Sequence, residues 1–391
     1  MKNFNRNTYI CIAILAIMIL GLFTFSNIES NRQKLNNSSY SFAKAKVDKI
    51  TFDNLYELED KSKEVLEAKQ EFEITILDGE HQGEKYKIRN TIESLDIHKI
   101  VVSENDEIII NYTLSNNDGK INSIHLYEIS RENYLYLLIG IFMLSVVLIC
   151  GKKGIKSILT LIFTSFMIIK VLIPILISGF NPVIATIAVC IVTVASSLFF
   201  ITGINKKTII SILGTVGGIL ISSITAIIIG NLCKITGLAE TESQLIAYNN
   251  SSLGLDFKSI LFAAIIIGSL GAIMDVSVSI TSAMDEVLQI KNNISKKDFI
   301  QSGMNIGKDI IGAMSNTLIL AYAGGAFSLI FLLAAQKMTY TTIINMEMIS
   351  TEIITAFAGS LGLVWTVPIT VFAMAALVFK SNSKNKSKIS K

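Results

Sequence analysis

Charge is scarce in this sequence. Only 17% of its 391 residues are Asp, Glu, Lys or Arg, against 51% apolar residues and a mean hydropathy of +0.55, whereas soluble domains carry roughly a quarter charged residues. A single water-soluble globule is excluded. Cysteine is also scarce: Cys11, Cys150 and Cys190 lie in apolar runs and Cys233 in a loop, which excludes a disulfide framework or a cysteine metal cluster. The three histidines, His81, His98 and His125, share one polar stretch and form no His-Glu-x-x-His pairing, so a membrane zinc peptidase has no ligands. No Walker-type phosphate loop occurs, so ATP-driven pumping would need a separate subunit. No cofactor is expected.

Long apolar runs are what the chain has instead. A hydrocarbon core about 30 Å thick takes about 20 helical residues, and eight runs approach that length: Tyr9 to Phe25, Tyr134 to Cys150, Ser157 to Ser178, Val183 to Gly203, Thr208 to Gly230, Ser259 to Ile280, Ile310 to Leu333 and Ile353 to Phe379. The first follows Lys2 and Arg6 and ends without a small-x-small cleavage site, which favours a signal anchor over a removable signal peptide. With the N-terminus inside, the cytoplasmic loops and tail collect 16 Lys and Arg, while the short external loops collect three, Lys234, Lys258 and Lys337. This bias places both termini in the cytoplasm of a plasma-membrane protein.

The expected division is residues 1–28 as N-terminus and anchor, 29–132 as an extracytoplasmic domain, 133–380 as a seven-helix domain and 381–391 as a basic tail. The outer segment holds 14 basic and 21 acidic residues, a net of −7, and the remainder 20 basic and 10 acidic, a net of +10. The acidic outer segment argues against nucleic-acid binding. Phe72 to Ile76 and Tyr86 to Arg89 alternate as strands around the turn cluster Asp78 to Gly83, and Glu107 to Leu114 and Asn122 to Ile129 flank a second such cluster. A small β-rich barrel or sandwich is expected there. Asn54 to Glu71 carries apolar residues at helical spacing, which fits a helix or an exposed connector.

Ionisable residues inside spans are expensive and mark pathways, relays or buried pairs. Lys170 and Asp275 lie well inside, and Asp309 stands at a helix mouth. Ser279, Ser282 and Glu286 follow Asp275 on one helical face, and Ser302, Asn305, Asp309, Gly312 and Asn316 recur at intervals of three and four on the next helix. By run boundaries Asp275 lies roughly 8 Å from the cytoplasmic end and can meet Asp309, while Lys170, roughly 20 Å in, is too deep for a direct bridge. Lys170 can instead snorkel outward. Two carboxylates among Asn and Ser oxygens can coordinate a cation or share a proton. The competing reading makes the same groups interhelical glue, with Gly268, Gly271, Gly307 and Gly312 for close packing. Breaks are expected at Gly324-Gly325, Pro174 and Pro368, and helix packing at Gly214-x-x-Gly217-Gly218. An intramembrane aspartyl protease is disfavoured because Asp309 lacks the Gly-x-Gly-Asp element.

The stretches GSLGAIMDVSVSITSAMDE (Gly268 to Glu286) and SGMNIGKDIIGAMSNTLILAYAG (Ser302 to Gly324) resemble the YibE/F-like family of bacterial membrane proteins. The resemblance extends to the LDGEHQGEKYKIRN turn, the basic Gly151 to Lys156 loop, Ile173-Pro174 and Gly179-Phe180-Asn181-Pro182. It implies a multipass architecture and carries no established activity. One departure stands at Ala313, where the resemblance implies Thr; Asp275, Asp309 and Asn316 match. The resulting expectation is a membrane bundle of about eight helices with a β-rich domain between the first and second. Its polar core on helices six and seven would serve a small ion or solute. Asp275 and Asp309 would bind the ion, Asn305 and Asn316 line it, and Ser279 and Ser282 assist. The lipid bilayer, a paralogous membrane partner or a homo-oligomer are the expected partners. A membrane-anchored scaffold or receptor is the alternative.

Overall fold

The computed structural model describes residues 40–55, 67–93, 99–115, 120–249, 254–291 and 293–389. The expected anchor, Tyr9 to Phe25, lies outside the described residues. The chain divides into two compact units, one of Ser30–Ile149 and one that includes Cys150–Lys391.

In the first unit β1 (Tyr40–Asp53), β2 (Glu67–Ile76), β3 (Lys85–Glu93), β4 (Glu107–Leu114) and β5 (Ile121–Ile129) form one antiparallel sheet in the order β3-β2-β1-β4-β5. Alternation puts Ala43, Ala45 and Val47 of β1, Phe72 and Ile74 of β2, and Ile108 and Ile110 of β4 into a common core. The central strand β1 pairs with β4 through Tyr40 to Lys46 and with β2 through Ala45 to Asp53, with register shifts after Val47 and Ile50. Such irregularities bend a strand. Cα atoms of β3 and β5 approach within 8 Å, and the sheet curls into a five-stranded, partly open Greek-key barrel. Both expected hairpins form. The helical reading of Asn54 to Glu71 is corrected: Glu67 to Glu71 belong to β2, held by nine residue pairs with β3, and residues 56–66 lie outside the described residues.

Polar contacts tie the segment before β4 to the sheet. Gln70 is fully buried, donates to the Val102 carbonyl (2.8 Å) and Asp53 Oδ2 (2.9 Å), and accepts from the Val102 N–H (3.1 Å). Outside, Glu71 and Glu73 pair with Arg89 and Lys87 across β2 and β3. The Thr75 hydroxyl, donating at 2.6 Å, and the nearby Lys85 ammonium hold the Asp48 carboxyl below its ordinary range. α1 (Glu132–Cys150) completes this unit, its start tied to the sheet by Lys44–Glu132 and by Asn133 donating to Glu107 (3.0 Å).

The second unit contains α2 (Lys152–Ile177), α3 (Pro182–Thr202), α4 (Lys206–Leu232), α5 (Thr241–Asn249), α6 (Phe257–Ile290), α7 (Lys296–Gly325), α8 (Phe327–Ala335), α9 (Tyr340–Ile344) and α10 (Glu347–Ile389). Among the described residues six helices (α1, α2, α3, α4, α6 and α10) are long and apolar enough to cross a membrane, and α7 with α8, bent by 61°, makes a seventh if counted as one span. This is a multipass membrane protein. The bend falls at Gly324-Gly325, as expected. Pro174 leaves no break: lacking an N–H, it is accommodated by a π-helical turn at Met167–Leu172, where the Ile173 N–H reaches back to the Ile168 carbonyl. Pro368 sits inside an unbroken α10, so a break there is corrected.

The centre of this unit is the crossing of α4, α6 and α10, where glycine lets backbones touch. A Cβ at Gly218 would stand 2.9 Å from the Gly362 carbonyl, and one at Gly362 would stand 2.7 Å from the Gly218 carbonyl. At Gly214 a Cβ would strike Thr370 and Ser277, so the glycine cluster of α4 is a packing surface. Ile273, Val276 and Ile280 of α6 and Leu363, Val367 and Val371 of α10 fill the space between.

Two outcomes follow. Gly362→Ala should lower the unfolding free energy in mixed micelles by about 1–3 kcal/mol, the cost of overpacking; an unchanged unfolding curve would contradict the backbone contact. Gln70→Leu strips the Val102 backbone of its partner and should cost about 1–3 kcal/mol, read as faster hydrogen–deuterium exchange in residues 99–106 and β2; wild-type protection would contradict it.

Candidate functional site: a polar face on two adjacent helices

The helix α6 carries two polar stripes, and they turn opposite ways. One is buried and satisfied: Ser277 donates to the Ser211 carbonyl (2.9 Å) and meets Thr370 (3.1 Å), Thr281 meets Ser211 (2.7 Å), and Ser269 meets Ser222 (3.4 Å). Sequence reading missed this inner stripe, which is the glue of the bundle. The other runs through Gly268, Gly271, Asp275, Ser279, Ser282 and Glu286, all on the exposed surface of the chain. On α7, Asn305, Asp309, Gly312 and Asn316 are likewise exposed and Ser302 is half-buried. Among the described residues, no hydrogen bond or ion pair reaches the side chains of Asp275, Asp309, Asn305, Asn316, Ser279 or Ser282. In the single chain the expected polar core on these two helices is an open face. The reason is steric: Ile273, Val276, Ile280 and Met284 claim the inward side of α6, and Gly303 and Gly307 that of α7.

Packing contacts set the heights. A Cβ at Gly268 would meet the Tyr322 hydroxyl and one at Gly303 would meet Met284, so the two antiparallel helices are in a register that puts Asp309 level with Ser279, and Asn305 with Ser282. Asp275 stands level with Gly312 and Ala313, about one helical turn short of Asn316 and about 6 Å from the Asp309 level. The helices are also longer than their apolar runs, 34 residues for α6 and 30 for α7. Asp309 is thus mid-helix rather than at a mouth, because Ser295 caps α7 by accepting from the Asp298 N–H. Lys207 pairs with Asp285 near one end of the bundle. From that level Asp275 lies ten residues in, about 15 Å rather than 8 Å, near the middle of α6.

Elsewhere the exposed surface of the bundle is greasy. α4 presents Leu213, Leu220 and Ile224, and α10 presents Phe357, Leu361 and Trp365. Between Phe257 and Gln289 no large apolar side chain of α6 is exposed, and α7 exposes only Leu320. A carboxylate at the centre of a span costs about 2.5–3.5 kcal/mol even on the lenient insertion scales, so two of them on one bare face point to a face that meets water, an ion or protein.

The comparisons place these helices. A family model described as YibE/F-like protein matches residues 138–380, and one described as YibE/F family N-terminal domain matches residues 38–128. The chain belongs to the YibE/F-like family. No match was found among curated proteins or among solved structures. In this YibE/F-like chain the two resembling stretches are the parts of α6 and α7 that carry the polar face together with the buried side of α6, and the departure, Ala313, is exposed beside Gly312.

Of the expected packing glycines, Gly268 and Gly307 touch neighbouring helices, at Tyr322 and Val367, whereas a Cβ at Gly271 or Gly312 would meet nothing within 4 Å. Lys170 is half-buried on the π-helical turn of α2. Past the exposed face, where α7 breaks, a cavity of about 310 Å³ opens between α7, α8 and α10, lined by Tyr322, Ala326, Ile330, Glu352, Ile353 and Phe357. Glu352 is a carboxylate that sequence reading passed over, because it stands one residue before the apolar run. Among the described residues no group hydrogen-bonds the buried Tyr322 hydroxyl. Tyr322→Phe should therefore leave stability unchanged or raise it by about 1 kcal/mol, since a buried hydroxyl without a partner costs about that much or more. Destabilisation in the same micelle assay would reveal a partner for the hydroxyl.

Proposed function

We propose that this YibE/F-like protein is a transporter that moves a small ion or a proton across the plasma membrane along the polar face of α6 and α7. The observation that carries this reading is the pair of unpartnered carboxylates, Asp275 and Asp309, about one helical turn apart in height on a face that, among the described residues, has little large apolar cover. Carboxylates flanked by amide and hydroxyl oxygens suit a hard cation, and two at close quarters suit a shared proton. Asp275 and Asp309 carry the ion, Asn305 and Asn316 supply carbonyl oxygens, and Ser279 and Ser282 assist. The break between α7 and α8 supports the reading, since interrupted helices line many transporter sites. Both termini face the cytoplasm in this scheme, and the barrel stands outside. No enzymatic step is assigned.

A second reading rests on the barrel. Phe42 and Tyr127 are both more than half exposed and stack edge to face at 5.0 Å. Such a pair suits a binding surface and would make the protein an anchored receptor for an envelope component.

Proteoliposome flux across a pH gradient and a panel of cations separates the two. Transport predicts flux in the wild type, reduced at least tenfold (~1.4 kcal/mol) in Asp275→Asn and in Asp309→Asn with the protein still inserted. Absence of wild-type flux, or variants that match the wild type, would contradict it and direct attention to Phe42 and Tyr127.

A further inference from the structure

The exposed face of α6 and α7 has the composition of a protein interface and the geometry of a self-complementary one, and we propose that a second copy of this chain covers it. The inference rests on the membrane location of these helices and not on transport. Three observations carry it.

The first is what the face lacks: α4 and α10 meet their surroundings with Leu213, Leu220, Phe357, Leu361 and Trp365, while α6 offers none between Phe257 and Gln289. The second is room. Gly271 and Gly312 have open space where a Cβ would point, and the stripe from Gly271 to Glu286 advances by three and four residues, the spacing of a seam that receives a neighbouring helix.

The third observation is register. Two copies inserted the same way are related by an axis along the membrane normal, and a half-turn about an axis between α6 and α7 brings α6 of one copy against α7 of the other at unchanged height. The levels set by the Gly268–Tyr322 and Gly303–Met284 contacts then pair unlike groups. Asp309 faces the hydroxyl of Ser279, Ser282 faces the amide of Asn305, and Asp275 faces Gly312 with the Asn316 amide about one helical turn further along. Acceptors meet donors, the carboxylates avoid one another, and the glycine admits the close approach. In one chain these groups have no partners; in the pair Asp309, Ser279, Ser282 and Asn305 each have one at their own level, and the Asn316 amide is the donor nearest to Asp275. The polar site is therefore completed by residues of both copies.

The test uses two differently tagged full-length chains, cleared of native cysteines and co-expressed, one with Ser279→Cys and the other with Asp309→Cys. Mild oxidation should join unlike tags several-fold more efficiently than for a pair carrying Leu213→Cys and Leu361→Cys on the apolar faces. The wild type in lipid nanodiscs should weigh as two chains. A single-chain mass, a complex with a different protein, or cross-linking no better than the apolar pair would overturn the proposal. Cross-linking without flux would leave the interface standing and remove transport. Flux from single-chain particles would do the reverse.

Discussion

Within hydrocarbon a hydroxyl, amide or carboxylate has no water to turn to, and the helical unit sorts its polar side chains by that constraint. Hydroxyls with partners go inward. Ser211, Ser277, Thr281 and Thr370 bond across the crossing of α4, α6 and α10, where Gly218 and Gly362 bring backbones close enough for short side chains to reach. Asp275 and Asp309, carboxylates without partners, go to one outer face, while Glu352 lines the cavity at the α7 break. The same helix, α6, serves both demands because successive serines at Ser277 and Ser279 turn to opposite sides.

This division connects packing to function. A bundle held by glycine contacts and short hydroxyl bonds is rigid at its centre, so the outer face of α6 is a fixed platform. α7 leans on α10 through Gly303 and Gly307 and then breaks at Gly325, beyond which α8 departs by 61°. The polar groups and the break lie along one helix, with the Glu352 cavity at its far end. A platform beside an interrupted helix is an arrangement in which an ion could be held and released.

Much of this was legible in the sequence, and the failures have physical causes. The hydropathy runs located the spanning helices, since burial in lipid demands apolar composition along the whole circumference. They mislaid the ends, because α6 continues through Asp285 and Glu286 and α7 begins at Lys296, where backbone bonds persist after the apolar side chains stop. The strand β1 escaped notice because its inward residues include Ala43 and Ala45, too small to announce an alternation against lysines. The polar residues of α6 and α7 were found by spacing, which says which residues share a face. It does not say whether that face turns inward, and for that the glycines of α4 and the threonines of α10 had to be seen in place.

The account turns on the α6–α7 face being shielded from lipid. Spin labels at Ser279 and at Leu213, which sits near the same height on the apolar face of α4, can be compared in liposomes for collisions with lipid-dissolved oxygen. The label at Ser279 should collide far less often than the label at Leu213. Equal collision rates would mean that the carboxylate face lies bare in the bilayer, and would contradict the account.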